Sequence, residues 1–293
     1  MGNVLDVEAV KNMKLRKLPK KEHWRTRELW ERIFTEDTSE FLDYYYSVKA
    51  AENDIYVIED AGEIVAMLHL NPYRMRIEGE LYDTHYIVAV ATDENYRKKG
   101  LMKRLLECAM RAMKRRGEPF TFLMPASESI YRGFGFKRIY EQPSSEIAGK
   151  FDENSDLEFV PAKEEDCLEI AMFANYYLRD YDVVTWRTEH HYQVLLKEFE
   201  SENGGILLAK KGGKIKGFCC YANEGHLEIR EPMFRNEEIL KHCIYQFTKD
   251  ETTEVLCVGY GNQKKEPMIM AKILNPELQL DFKKAKVFLN EVV

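Results

Sequence analysis

One segment of the sequence combines an apolar strand, a basic turn with a glycine, and the start of a helix. The strand is predicted over residues 86–91, the turn contains Gly100, and the helical pattern starts at Leu101. The first N–H groups of a helix have no partner within it, and a glycine lets an anion approach them closely. Residues 97–116 also carry nine basic side chains against one acidic one, Glu107. The segment therefore has the chemistry of a pyrophosphate site, although an ordinary strand-to-helix turn with a solvated basic face fits the same pattern.

A second candidate for chemistry is the phenol of Tyr131. It lies in the run Ser-Glu-Ser-Ile-Tyr-Arg-Gly-Phe-Gly-Phe over residues 127–136. A tyrosine hydroxyl can protonate a leaving group as a general acid. Tyr131 is one of 17 tyrosines, so packing in the core is its alternative role.

These elements need a scaffold, and the hydrophobic periodicity predicts a layered one. Two helices, over residues 22–34 and from Thr38 or Ser39 onward, precede a hairpin over 55–70 that turns at residues 60–63. Further strands are predicted at 75–77, 86–91, 120–124 and after 134, with the basic helix from Leu101 ending at Gly117. The predicted fold class is α/β (α+β), with helices on a mixed, mostly antiparallel sheet.

The second half of the chain repeats this layout. Its predicted elements are helices over 161–178 and 191–199, a hairpin turning at Gly212 and Gly213, a strand at 227–230, a helix at 237–248 and a strand at 255–258. The length of 293 residues corresponds to about two average domains. We predict a boundary in the polar stretch 141–156, giving domains 1–145 and 146–293, with the last stretch of about 25 residues extending back to the first domain. The second half has no basic glycine turn before its helix at 237.

The two motifs together resemble the GNAT acetyltransferase superfamily. Arg97-x-x-Gly100-x-Met102 is similar to its acyl-CoA pyrophosphate loop, and the run ending Tyr131-x-x-Phe-Gly-Phe136 resembles its Tyr-x-x-x-Gly-Phe ending. Residues 22–140 are most similar to the Eis-like branch, whose members place two GNAT domains in tandem. The second half resembles the branch's second domain, which does not bind CoA. Members usually continue into a third, sterol-carrier-protein-like domain, and the resemblance places its start near residues 267–274, so a shortened C-terminus is expected.

The resemblance implies roles for individual residues, with acetyl-CoA as the cosubstrate. The backbone at the end of the fourth strand would hold the pantetheine and polarise the thioester carbonyl, the basic turn would hold the pyrophosphate, and a short segment would line the far wall. In order along the chain these are Val90, Ala91 and Thr92; Arg97, Lys98, Lys99, Gly100, Leu101, Met102 and Lys103; and Ser127 and Glu128.

The same resemblance implies a catalytic pair. Tyr131 matches the family's general acid, and Val293, as the terminal carboxylate, matches its general base. His85 and Glu128 are alternative bases. The cluster Tyr44, Tyr45 and Tyr46 is expected to pack in the core, with a place in an acceptor pocket as its alternative.

Composition and charge argue against a nucleic-acid-binding, membrane or exported protein. A formal net charge of −7 argues against a nucleic-acid partner for the basic helix, and the absence of a long apolar run predicts no membrane segment and no export signal. The six cysteines form no C-x-x-C pair, which predicts reduced thiols in a cytoplasmic protein without a metal site.

The predicted function is transfer of an acetyl group from acetyl-CoA to a primary amine by direct attack in a ternary complex. Residues 151–293 carry 26 acidic and 18 basic side chains, which favours a small cationic molecule or a lysine side chain as acceptor. The alternative is a non-catalytic, regulatory protein that binds acyl-CoA. Members of the Eis-like branch tend to be hexamers, so a homo-oligomer is compatible with the resemblance.

Overall fold

The computed structural model describes residues 13–223, 225–278 and 280–290, and fourteen strands in these residues form one sheet. The strands are β1 Lys14–Lys17, β2 Asp54–Asp60, β3 Glu63–Ile77, β4 Glu80–Thr92, β5 Phe120–Leu123, β6 Lys137–Ala148, β7 Glu158–Pro161, β8 Val183–Thr185, β9 Gly205–Lys211, β10 Lys214–Asn223, β11 Leu227–Phe234, β12 Glu254–Val258, β13 Lys264–Ile273 and β14 Val287–Phe288.

Seven α-helices lie against this sheet in the described residues. They are α1 Arg27–Ile33, α2 Ser39–Ser47, α3 Leu101–Arg115, α4 Glu128–Arg132, α5 Cys167–Tyr177, α6 Glu189–Ser201 and α7 Glu237–Thr248. Short 3-10 turns cover Lys20–Thr26, Lys49–Ala51, Glu94–Tyr96 and Glu164–Asp166. The predicted cap of α2 is confirmed, because the Thr38 side chain accepts a hydrogen bond from the Phe41 N–H at 3.2 Å.

The strand order is β1-β2-β3-β4-β5-β13-β6-β12-β11-β10-β9-β7, with β8 beside β3 and β14 beside β8. Along this path β4 and β5 run parallel, as do β11 and β12, and every other neighbouring pair is antiparallel. The predicted fold class is therefore confirmed: the sheet is mixed, mostly antiparallel and flanked by helices.

Both faces of the first half of the sheet are buried. In β2, Ile55 and Val57 pack with the core under α1 and α2, whereas Tyr56 and Ile58 pack with the core under α3. Alternate side chains of a strand point to opposite faces, so a strand that is apolar throughout requires cover on both sides. The sheet thus separates an α1/α2 side from an α3 side.

The two halves share one order of elements. The series β1, α1, α2, β2, β3, β4, α3, β5 is followed by the series β7, α5, α6, β9, β10, β11, α7, β12, apart from the inserted β8. In the first series β4 carries a bulge where it pairs with β3, and in the second series β11 carries a bulge where it pairs with β10. A non-glycine residue with positive φ lies in each bulge: Ala89 at 51° and Glu231 at 48°. A bulge bends its strand and is usually retained for that effect.

Strands β6 and β13 join the two halves. Residues 137–144 of β6 pair with β13, whereas residues 144–148 pair with β12. Strand β13 in turn pairs with β5, with Met270 opposite Leu123. The predicted boundary at 145/146 therefore lies inside a continuous strand, and residues 267–274 lie in and just after β13 beside the first half.

One predicted strand break was wrong. The sequence predicts separate strands at residues 64–70 and 75–77, and Asn71 and Pro72 between them have the local chemistry of a turn. In the structure both belong to β3, with Pro72 opposite His85 of β4. Asn71 is fully buried and accepts a hydrogen bond from the Tyr45 hydroxyl at 3.4 Å, so a polar core contact replaces the expected turn.

The cysteines and two residues of the tyrosine cluster lie largely in the core. Five cysteines are buried and Cys108 is half-buried, all as free thiols, with the Sγ atoms of Cys219 and Cys243 3.5 Å apart. Tyr44 and Tyr45 are buried in the core under α1 and α2. No helix in the described part of the chain is long and apolar enough to span a membrane.

Strand β13 offers a test of how the halves are joined. Ile269 is fully buried between β5 and β6, so Ile269→Ala should lower the free energy of unfolding by about 2–5 kcal/mol through lost packing and an unfilled cavity. Lys265→Ala, at an exposed position of the same strand, should change it by less than about 0.5 kcal/mol. Urea denaturation followed by circular dichroism measures both; equal effects would contradict a buried joining strand.

Candidate functional site

The parallel strands β4 and β5 form an open fork. In the described residues their register consists of Tyr86 opposite Phe122, and the bulge at Ala89 bends β4 beyond that point. Val90 and Thr92 follow the bulge and are half-buried, with Ala91 buried between them. Two neighbouring strands that part in this way leave backbone groups facing the gap, and such groups need a hydrogen-bonding partner.

The N-terminal end of α3 lies just beyond the end of β4. Lys98 and Gly100 both have left-handed backbone, with φ of 64° and 76°, and the first helical hydrogen bond runs from the Arg104 N–H to the Gly100 carbonyl at 3.1 Å. The N–H groups before Arg104 therefore point out of the helix end. A Cβ at Gly100 would meet no atom within 4 Å, so the space beside these groups is open.

The side chains around this helix end are positive. The first turn of α3 contains no acidic residue, and no side chain caps it. Lys98 makes no ion pair with the described residues, Lys99 lies 4.9 Å from the centre of the Tyr96 ring, and the Lys103 ammonium is 3.8 Å from Glu107. A helix N-terminus with basic flanks attracts anions through both its dipole and its charges. Leu101 and Met102 pack with the core below α3.

Arg97 and Tyr96 fix the turn itself. Arg97 donates to the Thr92 carbonyl at 3.4 Å and lies 3.4 Å from Glu94, while the Tyr96 hydroxyl donates to Asp60 at 2.9 Å. These contacts tie the turn to the end of β4 and to the β2–β3 hairpin. Arg97 stays half exposed, with 51 % of its side chain accessible, and so remains available to a ligand.

Tyr131 lies in α4 with its ring buried against Phe136, the ring centres being 5.9 Å apart. It is 7 % exposed and belongs to the same buried cluster as Leu101 and Leu105 of α3. Burial raises the pKa of Tyr131 to about 12. Its hydroxyl makes no hydrogen bond with the described residues, so the phenol holds its proton at neutral pH and has that proton to give.

The neighbouring residues Ser127 and Glu128 are engaged locally. The Ser127 hydroxyl lies 2.9 Å from that of Ser129, and Glu128 accepts hydrogen bonds from Arg138 at 2.5 Å and Arg132 at 2.6 Å. Hydrogen bonds from Arg138 and Arg132 lower the pKa of Glu128. A carboxylate held ionised by two guanidinium groups is a poor proton acceptor, which weakens Glu128 as a general base.

The other predicted bases are His85 and Val293. His85 Nδ1 is 3.0 Å from Glu118, which is 4 % exposed and also binds Arg116 at 2.7 Å. This network ties His85 to the loop before β5. Val293, the predicted terminal carboxylate base, lies outside the described residues.

The corresponding place in the second half is closed. Strands β11 and β12 pair at three successive positions, from Glu228 opposite Leu256 to Arg230 opposite Val258. The helix that follows, α7, is capped by the Asn236 side chain, which accepts from the Glu238 N–H at 2.9 Å. Its first turn also carries Glu237 and Glu238, so this helix end would repel an anion.

A cavity of about 430 Å³ lies between the two halves. Met124, the residue after β5, lines it and donates its N–H to the Tyr86 hydroxyl at 3.2 Å, so the cavity reaches the base of the β4/β5 fork. Lys49, Glu52, Tyr73, His190 and Glu198 also line it. Its wall thus includes the α2 end of the first half and α6 of the second.

The charges in the cavity wall are paired. Buried Glu198 accepts from the Tyr44 hydroxyl at 2.8 Å and lies 3.8 Å from the Lys49 ammonium. On the other side, buried Arg187 binds Glu231 at 2.6 Å. Burial lowers the pKa of His191 well below its usual value, so this cavity-lining imidazole is neutral.

No pattern in the sequence identified these cavity residues beforehand. They come from nine separate stretches of the chain, and no short motif relates them. One signal was available: Glu231 is an acidic residue within the otherwise apolar end of β11, at the position of the bulge.

The comparison with known families decides the class of the first half. Residues 14–139 match the family described as an acetyltransferase (GNAT) domain. Residues 14–139 form a GNAT acetyltransferase domain. The predicted resemblance is therefore confirmed for this domain, and the match supports acyl transfer by a domain of a family that uses acyl-CoA. This finding favours an enzyme over the non-catalytic alternative.

Solved structures support the tandem arrangement of the GNAT fold. The chain is similar to a conserved protein of unknown function and probable N-acyltransferase from Enterococcus faecalis, with 17% identity, 89% and 73% of the two chains covered and a TM-score of 0.73. It is similar to Eis1 of Mycobacterium abscessus at 11% identity, with 89% and 73% covered and a TM-score of 0.63. A tandem GNAT protein from the clavulanic acid biosynthesis pathway shows 10% identity, 90% and 99% coverage and a TM-score of 0.59. At these identities the likeness concerns the fold alone. No curated protein matches the chain.

Two lysines near opposite ends of α3 test whether the N-terminal end of this helix binds CoA. Lys98 precedes the N-terminal end of α3 and Lys114 lies in its last turn, both exposed. Lys98→Ala should weaken CoA binding about threefold to tenfold, because a charge next to the phosphate site is lost. Lys114→Ala should leave it unchanged. Isothermal titration calorimetry measures both, and equal losses would mean that general charge, not the helix end, attracts CoA.

Proposed function

We propose that this GNAT acetyltransferase transfers an acetyl group from acetyl-CoA to a primary amine of a small cationic molecule or a lysine side chain. The observation that carries the proposal is the position of a free, basic helix end at the mouth of the open β4/β5 fork, with a cavity at the base of the same fork. One elongated thioester could then reach from the helix end to the cavity. In the second half both the helix end and the fork are closed.

The residues present fit such a cosubstrate. The N–H groups that precede Arg104 and the side chains of Arg97, Lys98, Lys99 and Lys103 would hold the pyrophosphate. The backbone of Val90, Ala91 and Thr92 lies along the gap between the strands and would pair with the amides of the pantetheine arm. When bound, acetyl-CoA would supply the activated acetyl thioester.

Tyr131 is proposed as the general acid. When the amine nitrogen bonds to the acetyl carbon, the carbon–sulfur bond breaks and the sulfur needs a proton. The Tyr131 phenol supplies that proton, the amine nitrogen releases one proton to solvent as the amide forms, and Tyr131 recovers a proton from solvent. Its ring is buried and its hydroxyl makes no hydrogen bond with the described residues, which supports this role. Backbone N–H groups in the fork would stabilise the carbonyl oxygen as it gains charge.

The cavity between the halves is proposed as the acceptor site. It lies at the base of the fork, and Glu52 and Glu198 provide carboxylates in its wall. A carboxylate attracts a cationic amine and orients it by charge-assisted hydrogen bonds. The second half would thereby contribute to acceptor selection through α6, without binding CoA itself.

The general acid is tested by Tyr131→Phe, which removes the hydroxyl and keeps the ring. We expect kcat to fall by about 100-fold or more, because the leaving sulfur loses its proton donor, while CoA affinity stays within about twofold. Release of the CoA thiol, followed with DTNB against a panel of amines, measures kcat. Tyr140→Phe is a control at a buried tyrosine of β6. A Tyr131→Phe enzyme with unchanged kcat would remove Tyr131 from the mechanism.

The pH dependence tests the same role. A general acid acts in its protonated form, and the pKa of Tyr131 is about 12, so the acid keeps its proton at every pH below that value. We therefore expect kcat to rise or level off up to about pH 10, since only the amine is deprotonated over this range. A loss of kcat centred near about pH 9 that is absent in Tyr131→Phe would show that Tyr131 loses its proton within this range, which would contradict its role as the general acid.

The acceptor site is tested by Glu198→Gln. Removal of this charge leaves Lys49 without its carboxylate and makes the cavity more positive, so KM for a cationic amine should rise about threefold to tenfold. KM for acetyl-CoA should stay constant. Glu200→Gln, two residues later in α6 and exposed, is the matched control. A rise in both KM values would indicate a damaged fold instead of a lost acceptor contact.

A further inference from the structure

Helix α5 presents a row of large apolar side chains to solvent. Leu168, Met172 and Tyr176 are 53 %, 66 % and 52 % exposed, and their spacing of four residues places them on one face. The opposite face is buried in the core of the second half through Cys167, Ile170, Ala171 and Ala174. A single exposed apolar residue is ordinary, but a row of three along a helix is typical of an interaction surface.

The charges at the two ends of this row have opposite sign. Glu165 and Glu169 lie at its start, exposed and without an ion pair to the described residues. Arg179 and Arg235 lie at its end, with guanidinium carbons 4.2 and 3.9 Å from the centre of the Tyr176 ring. Arg235 makes no ion pair with the described residues, and Arg179 has only the distant Asp180, at 3.7 Å.

The row is complementary to itself. If two copies of α5 pack antiparallel about a two-fold axis through Met172, residues at equal distances before and after Met172 face each other. Leu168 lies four residues before it and Tyr176 four after, and Glu165 lies seven before and Arg179 seven after. Each apolar residue would thus meet an apolar residue of the second copy, and each terminal charge would meet its opposite.

We propose that α5 forms a two-fold interface between two copies of this chain. An isologous interface needs a self-complementary patch, with an apolar centre and a polar rim, and the α5 row has this order. Acidic residues at the start of a helix and basic ones at its end also suit the helix dipole. The dipole does not account for three large apolar side chains left in water between them, whereas a second copy does.

Sedimentation velocity of the full chain over about 1 to 100 μM tests the interface. We expect a dimer, or an assembly built from dimers. Met172→Glu places two like charges on the axis and should raise the dissociation constant about tenfold or more, or halve the size of a larger assembly. Trp24→Glu, at a position 67 % exposed outside α5, should leave the assembly intact.

Charge reversal tests the proposed register separately. Glu165→Arg alone and Arg179→Glu alone should each weaken association, because like charges would then face each other across the axis. The double variant E165R/R179E should recover it, since the opposite pairs are restored. A monomer at the highest concentration would overturn the proposal, as would an assembly unchanged by Met172→Glu or a double variant weaker than both single ones.

Discussion

The architecture depends on the separation of two neighbouring parallel strands. Strands β4 and β5 meet at Tyr86 and Phe122, and the bulge at Ala89 then turns β4 away. Backbone groups along the gap need partners, which an extended ligand with amide groups can supply. Because the chain runs from the end of β4 through a basic turn into α3, the gap opens beside the helix end that can hold that ligand's phosphates. The rest of the structure keeps this fork open and covers both its faces.

The second half contains the same arrangement of elements in a closed form. Its bulge is present at Glu231, yet β11 and β12 stay paired over three positions, and Asn236 caps the helix that follows. The repeated order of elements, together with these differences, indicates two copies of one fold with different roles. The second copy contributes α6 and the Arg187–Glu231 pair to the wall of the cavity beside the first fork. Strands β6 and β13 join the copies into one sheet, which fixes the position of that wall.

Much of the first half could be predicted from the sequence, because its signals are local. The Thr38 cap, the basic turn at Gly100 and the hairpin at residues 60–63 each follow from neighbouring residues. The continuous β3 could not be predicted, since Asn71 and Pro72 have the local chemistry of a turn. Pairing with β4 and the buried contact of Asn71 with Tyr45 hold this segment extended. Strand β13 was missed for a related reason: its partners Leu123 and Tyr140 lie far away in sequence. The cavity residues were inaccessible to motif analysis because the sheet, not the chain, brings them together.

A crystal structure of the full chain with CoA bound would show directly whether the β4/β5 fork holds this ligand. We expect one CoA per chain, with its pyrophosphate at the N–H groups before Arg104 and its pantetheine arm between β4 and β5. The CoA sulfur should lie next to the Tyr131 hydroxyl and open to the cavity at Met124. A CoA molecule bound between β11 and β12, or one that lies outside the β4/β5 fork with its sulfur remote from Tyr131, would contradict it.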